Sequence, residues 1–183
     1  MSTTFPGTTV ECSALKAGSS RVLFDGIVAT GGITLSQVCI MTGLEPYLIQ
    51  NWVKRGFLTS PAGRVYSREQ FARIIIINML RQALQIDRIC GLIKAISGEP
   101  DDGSDDLISD DELYHLYVDM LSDESMVIRN EKSVNDAAMR TTQSFVEPLP
   151  GARKKLCLIL TAMLYAHSSS QLAALSDKIL MTL

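Results

Sequence analysis

A chain of 183 residues, 46% of them hydrophobic, can bury a real core, which excludes a wholly disordered protein. The net charge of −3 hides a division. From Ile33 to Lys94 eight basic residues stand against three acidic ones; from Ala95 to Pro150 fourteen acidic residues stand against three basic, eight of those acids lying between Glu99 and Glu112. A basic segment followed by an acidic one is the pattern of a nucleic-acid module joined to a second module.

Cys12, Cys39, Cys90 and Cys157 are far apart and show no metal-ligand spacing, which argues against a structural zinc site, and Cys39, Cys90 and Cys157, each among apolar residues at helical spacing, read as buried thiols of a reducing cytosol. The start, MSTTFPGTTVE, lacks the basic and apolar regions of a signal peptide, and the apolar run Leu156 to Ala166 is shorter than the roughly 20 residues a spanning helix needs. A soluble, cytoplasmic protein with no membrane contact is expected.

Residues 1–32 begin rich in Ser, Thr and Gly with little periodicity and are expected to be mobile or loosely docked, with Val22 to Val28 apolar enough to dock against later helices. Thr34 and Gln37 form a capping box for a short helix whose apolar stripe is Leu35, Val38, Cys39 and Thr42. Gly43 suits the left-handed turn that ends it, and Pro46 the first turn of a second helix. That second helix divides into an apolar side, Leu48, Ile49, Trp52 and Val53, and a polar side, Tyr47, Gln50, Asn51 and Lys54, with Arg55 beside them. Asn and Gln can pair with adenine edges, while Lys, Arg and the Tyr hydroxyl hold phosphates. An ordinary solvated face has the same composition.

Gly56 ends this helix. Phe57 to Tyr66 (FLTSPAGRVY) reads as a short hairpin with Gly63 at its tip, a wing from which Arg64 reaches the DNA backbone or minor groove. Ser67 and Gln70 form a second capping box, and the following helix, Arg68 to Gln82, contains four consecutive isoleucines. Apolar all round, it should be central and buried, with Arg68, Arg73 and Arg81 at its ends to hold phosphates. Ile86, Ile89, Cys90, Ile93 and Ile96 line the next helix.

The ordered run from Ile33 to Ser97 resembles the winged-helix DNA-binding domain of the MerR family, and more closely a bacterial domain-of-unknown-function family carrying a MerR-like head. The motifs are Thr42-Gly43, NWVKRGFL and GRVYSREQFARIIIINMLRQALQI. The resemblance implies that Trp52 packs inside, that Lys54 is a basic position of the recognition helix, and that Arg64 and Tyr66 are the wing's Arg and Tyr. Gln50, Asn51 and Gly63 depart from the family pattern, which leaves the docking geometry better specified than the base contacts.

The segment Glu99 to Glu112 invites a calcium-loop reading with Asp101, Asp105 and Glu112 as ligands, but Gly103 and Asp106 occupy positions that need a ligand and a glycine. A solvated acidic linker is preferred. Ser109 and Glu112 read as a third capping box, opening a helix that buries Leu113, Leu116, Tyr117 and Met120 and carries His115 at its surface or edge. A further helix is expected from about Asn130 to Val146, then an apolar helix broken near His167 to Ser170 and resumed from Gln171 to Thr182.

The expected fold is all-α: a MerR-like winged helix-turn-helix with a small β-hairpin wing, followed by a C-terminal helical bundle. The expected organisation is a loose segment 1–32, a DNA-binding domain 33–98, an acidic linker 99–110 and a dimerisation domain 111–183. The expected function is a transcriptional regulator that binds double-stranded DNA as a homodimer through Tyr47, Gln50, Asn51, Lys54, Arg55, Arg64, Tyr66 and Arg68. An apolar small-molecule effector in the C-terminal helices fits the same reading. The alternative is a protein-interaction adaptor that reuses the head. No catalytic constellation, cofactor motif or metal motif is legible.

Overall fold

The computed structural model describes residues 3–29, 31–97, 107–123, 128 and 130–182. It is mainly helical, as the sequence implies, with two minimal two-stranded sheets. β1 (Thr3–Thr4) pairs antiparallel with β2 (Glu11–Cys12), followed by α1 (Ser19–Val28). β3 (Ile33–Thr34) leads into α2 (Leu35–Thr42) and α3 (Pro46–Lys54). β4 (Val65–Tyr66) pairs antiparallel with β3 in the register Ile33 to Tyr66 and Thr34 to Val65. Then come α4 (Arg68–Leu80), α5 (Ile86–Ser97), α6 (Asp110–Ser122), α7 (Glu131–Thr141) and α8 (Ala152–Leu180).

Local chemistry explains the head. Thr34 and Gln37 cap α2 reciprocally, and Ser67 and Gln70 do the same for α4. Gly43 ends α2 at φ +68°, a conformation any Cβ would strain. Pro46 occupies the first turn of α3, where its missing N–H costs nothing. The Gln70 amide also donates to the Thr59 carbonyl (3.1 Å) and hydroxyl (2.7 Å), fixing the base of the wing to α4.

α4 is the axis of the fold. Every residue from Phe71 to Ile77 is buried, as are Met79 and Leu80, and the helix packs against α2, α5, α6 and α8. One continuous core therefore joins the head to the C-terminal helices, whereas separate head and tail domains were expected. The physical reason is the all-round apolarity of α4: a small head cannot cover all of its faces, and the later helices do.

The start of the N-terminal segment was expected to be mobile or loosely docked, and Val22 to Val28 to dock against the later helices. Residues 3–29 are instead folded onto this core. Phe24 is fully buried among Phe71, Tyr114 and His115, with ring centroids 5.4, 5.6 and 4.9 Å away. Thr9 donates its backbone N–H to the Met41 carbonyl (2.8 Å) and its hydroxyl to Ile40 (2.7 Å), satisfying the carbonyl end of α2. Asn78 of α4 donates to the carbonyls of Gly7 (2.9 Å) and Thr42 (3.0 Å), and the Tyr114 hydroxyl donates to that of Pro6 (2.9 Å). Gly7 sits so close to α4 that a Cβ would lie 2.5 Å from the Ile75 carbonyl oxygen.

Three expectations for the later helices need correction. Ser109 precedes α6 but forms no capping box: its hydroxyl donates to Asp111, and Glu112 turns away to Arg21. α7 is shorter than expected, ending at Thr141, and is capped by Asn130 and Ser133. α8 runs unbroken through His167 to Ser170, where it was expected to break, and the Ser169 and Ser170 hydroxyls donate to the Ala166 carbonyl within the continuing helix. At 29 residues α8 is long and apolar enough to cross a bilayer, but Leu156, Leu160, Met163 and Leu164 in its first half are buried in the protein core. The Asp101 to Asp106 part of the calcium-loop reading lies outside the described residues. Among the described residues no group of three or more His, Cys, Asp or Glu side chains is arranged so that it could hold a metal ion.

Candidate nucleic-acid interface

α3 shows the geometry its sequence divides into. Ile49 and Trp52 are buried and hold the helix to the core; Leu48 and Val53 flank them, half-buried. Tyr47, Gln50, Asn51 and Lys54 are all exposed, Tyr47 at 65% of its surface, and their spacing of i, i+3, i+4 and i+7 places them on one open face. None makes a side-chain hydrogen bond or ion pair among the described residues. The four side chains contribute no contact to the fold, and the face is open to solvent.

Arg55 caps the end of α3. Its guanidinium lies over the Phe57 ring, 4.4 Å from the centroid, and 4.0 Å from an Asp87 carboxylate oxygen at the start of α5. Half exposed, it remains able to turn to a phosphate. The Arg55–Asp87 approach also brings the first turn of α5 to this edge, and with it the exposed Arg88, which sequence reading had only counted as charge.

The wing is a tight reversal. Val65 donates its N–H to the Ala62 carbonyl (3.0 Å), and Gly63 and Arg64 both have positive φ, +57° and +69°. Two successive positive φ angles are the signature of the hairpin turn whose twist matches the strands. Among the described residues Arg64 is the only non-glycine held this way. It is exposed at the tip, where a residue such as Asn or Gly would sit with less strain.

Two expected contact residues are withdrawn from the surface. Tyr66 is buried against the core, its phenol pushed up chiefly by burial. Register is the reason: with Thr34 opposite Val65, Tyr66 pairs with buried Ile33 and shares its inward face. Arg68 is held by Asp25 (2.6 Å) and Asp111 (2.7 Å), and its guanidinium also reaches the His115 ring nitrogen (3.2 Å). Its hydrogen bond to Asp25 leads the causes that raise its pKa further. Arg73, also expected at the DNA, forms a buried pair with Asp110.

These pairs reinterpret the acidic stretch. Asp110, Asp111 and Glu112 open α6, and each finds a cation: Arg73, Arg68 and Arg21 respectively. Arg21 further bonds Asp119 (2.6 Å), whose other oxygen accepts from the Gly18 N–H (2.7 Å). Part of the basic-acidic division thus neutralises itself inside the fold and is not free for DNA. At the centre of this network His115 is buried, not at an edge as expected. Its Nδ1 lies 2.9 Å from the Ser20 hydroxyl, and burial, with Arg21 and Arg68 nearby, lowers its pKa to about 4. Nothing in a single helix's periodicity could have revealed this, since the covering residues come from α1.

Comparison with known proteins bears on the middle of the chain. A family model described as "Domain of unknown function (DUF1836)" matches residues 32–117. The chain is 33% identical over 81 residues to "Uncharacterized protein YkrK" of Bacillus subtilis (strain 168); that stretch is 42% of this chain and 35% of the relative, so the chain spans about a third of the length of the protein it matches. No solved structure matches the chain. The family match thus runs from the glycine before β3 through α2, α3, the wing, α4 and α5 to Tyr117 in α6, and takes in the whole open face of α3.

Proposed function

We propose that this protein is a DNA-binding transcriptional regulator in which α3 enters the major groove and Arg64 of the wing meets the backbone. One observation carries the reading. The second helix of a helix–turn–helix presents Tyr47, Gln50, Asn51 and Lys54 together, exposed and unpartnered, while Ile49 and Trp52 anchor it from behind. Gln50 and Asn51 are the groups that read base edges; Lys54, Arg55 and Arg64 supply phosphate contacts. Tyr66 and Arg68 stabilise this frame from inside and take no part in contact. A single small module gives limited specificity, so the reading includes a homodimer bound to two half-sites.

A protein-interaction adaptor is the second reading, favoured by the internal pairing of Arg68 and Arg73, which leaves the surface with fewer cations than the sequence suggests. Gel shifts against genomic fragments at moderate salt test between them. Lys54→Ala and Arg64→Ala should each weaken binding and lower the slope of log K against log salt by about 0.9 per lost phosphate contact. Absence of any specific fragment would exclude the DNA reading.

A further inference from the structure

Past the end of α3 lies a cavity of about 130 Å³, walled by Gly56 and Phe57, by Arg73 of α4, and by Cys90, Gly91 and Lys94 of α5. None of the four side chains on the open face of α3 lines it. Arg73 is the unusual wall. Only 10% of its side chain is exposed and its Nε donates to Asp110, yet its two terminal nitrogens bond nothing among the described residues. Asp110 is incomplete as well, since its Oδ1 is buried without a hydrogen-bond partner. Buried polar atoms left unpaired are costly, charged ones most of all, so an acceptor placed against the guanidinium would complete the pair. Gly91 is an independent sign. Glycine inside a helix is less stable than alanine, and here no neighbour demands it: a Cβ would meet nothing within 4 Å. The glycine leaves that side of the cavity open.

Size and charge choose the occupant. Sites for drug-sized organic ligands run to about 300–1,000 Å³, whereas one water needs about 10–15 Å³, so this cavity takes a handful of oxygen-sized groups. A guanidinium presents paired N–H groups that match two oxygens of one anion. Lys94 adds a second cation, and Arg55, stacked on the Phe57 ring, a third, opposed by Asp87 4.0 Å from Arg55. The Cys90 thiol is pushed up chiefly by burial, against the pull of Arg73 and Arg55, so it stays neutral and does not repel an anion. We propose that the cavity is a site for one phosphate-type oxyanion, held by the terminal nitrogens of Arg73 and flanked by Lys94. An anion seated there ties the end of α3 to α4 and α5. Free phosphate and the DNA backbone offer the same chemistry, and only the second source rests on the regulator reading.

Inorganic phosphate is the first probe. It should raise the wild-type melting temperature by about 3–6 °C when tenfold above its dissociation constant. It should also slow alkylation of Cys90 by iodoacetamide, read by peptide mapping, and leave Cys12 and Cys39 unaffected. Gly91→Leu fills the cavity from an open position and favours the helix, so it should keep the wild-type circular dichroism and lose both effects. Phosphate stabilises proteins by exclusion from their surface too; that effect is common to both chains, and the difference between them is the reading. Where phosphate leaves Cys90 unprotected, a mixed-sequence DNA duplex is the second probe. Protection of Cys90 by the duplex, with a salt slope lower by about 0.9 in Gly91→Leu, assigns the oxyanion to the DNA backbone. Cys90 unprotected by both probes, or protected equally in Gly91→Leu, overturns the proposal. Phosphate protection in a chain that shifts no genomic fragment refutes the regulator reading alone.

Discussion

Replacing Arg64 by Gly should make the protein more stable and worse at binding DNA, two effects that rarely coincide unless a residue is kept for contact. A residue with a Cβ in the left-handed region costs about 1–2 kcal/mol, and Arg64 sits there at φ +69°. Glycine removes that cost but loses about 0.5–1 kcal/mol through its freer unfolded state. The net gain is about 0.5–1 kcal/mol, which for a chain of this size raises the melting temperature by about 1–4 °C. Calorimetry reads this shift. Salt titration of DNA binding reads the other arm: one lost phosphate contact lowers the slope of log K against log salt by about 0.9. Arg64→Lys keeps both strain and charge and should match the wild type in both assays. A lower melting temperature for Arg64→Gly, or an unchanged salt slope with DNA still bound, would refute the reasoning.

Arg73→Met leaves Asp110 buried and unpaired, and should cost about 3–5 kcal/mol in urea unfolding; adding Asp110→Leu should recover most of it. Gly7→Ala should destabilise by about 2 kcal/mol or more, since it combines a left-handed φ with a clash against the Ile75 carbonyl. His115 is kept neutral in the fold, with a pKa of about 4 against 6.5 when unfolded. Its contribution is complete above pH 6.5 and is lost as pH falls toward 4, on the order of 3 kcal/mol at 1.36 kcal/mol per unit. Urea midpoints measured across that window should flatten in His115→Gln. Burial lowers His167 as well, so some residual slope remains.

The head was legible because its signals are local. Thr34 with Gln37, Ser67 with Gln70, Gly43 and Pro46 each act within one turn of chain, and the four isoleucines of α4 announce burial on all sides. What escaped was every arrangement whose partners are distant in sequence. Charge counting saw Arg68 and Arg73 as free and Asp110 and Asp111 as solvated, because it cannot see that α4 and the start of α6 face each other. The stretch before α1 has no periodicity since it docks largely through the backbone, offering the carbonyls of Pro6 and Gly7 to Tyr114 and Asn78. Tyr66 was misplaced by a register that only the β3 pairing sets. The face of α3 was found and the frame behind it was not, which is the expected order when one is a helix stripe and the other a meeting of four elements.

The folding of residues 3–29 onto α4 and α6 sets a practical boundary for anyone cutting the gene. A fragment trimmed to residues 32–117 would lose Phe24 and the Thr9 and Gly7 clasp, so Phe71, Tyr114 and His115 would face water and the end of α2 would fray. Such a fragment should express poorly or aggregate through that newly bared aromatic face. The stretch that the family model matches is smaller than the packed core to which residues 3–29 belong.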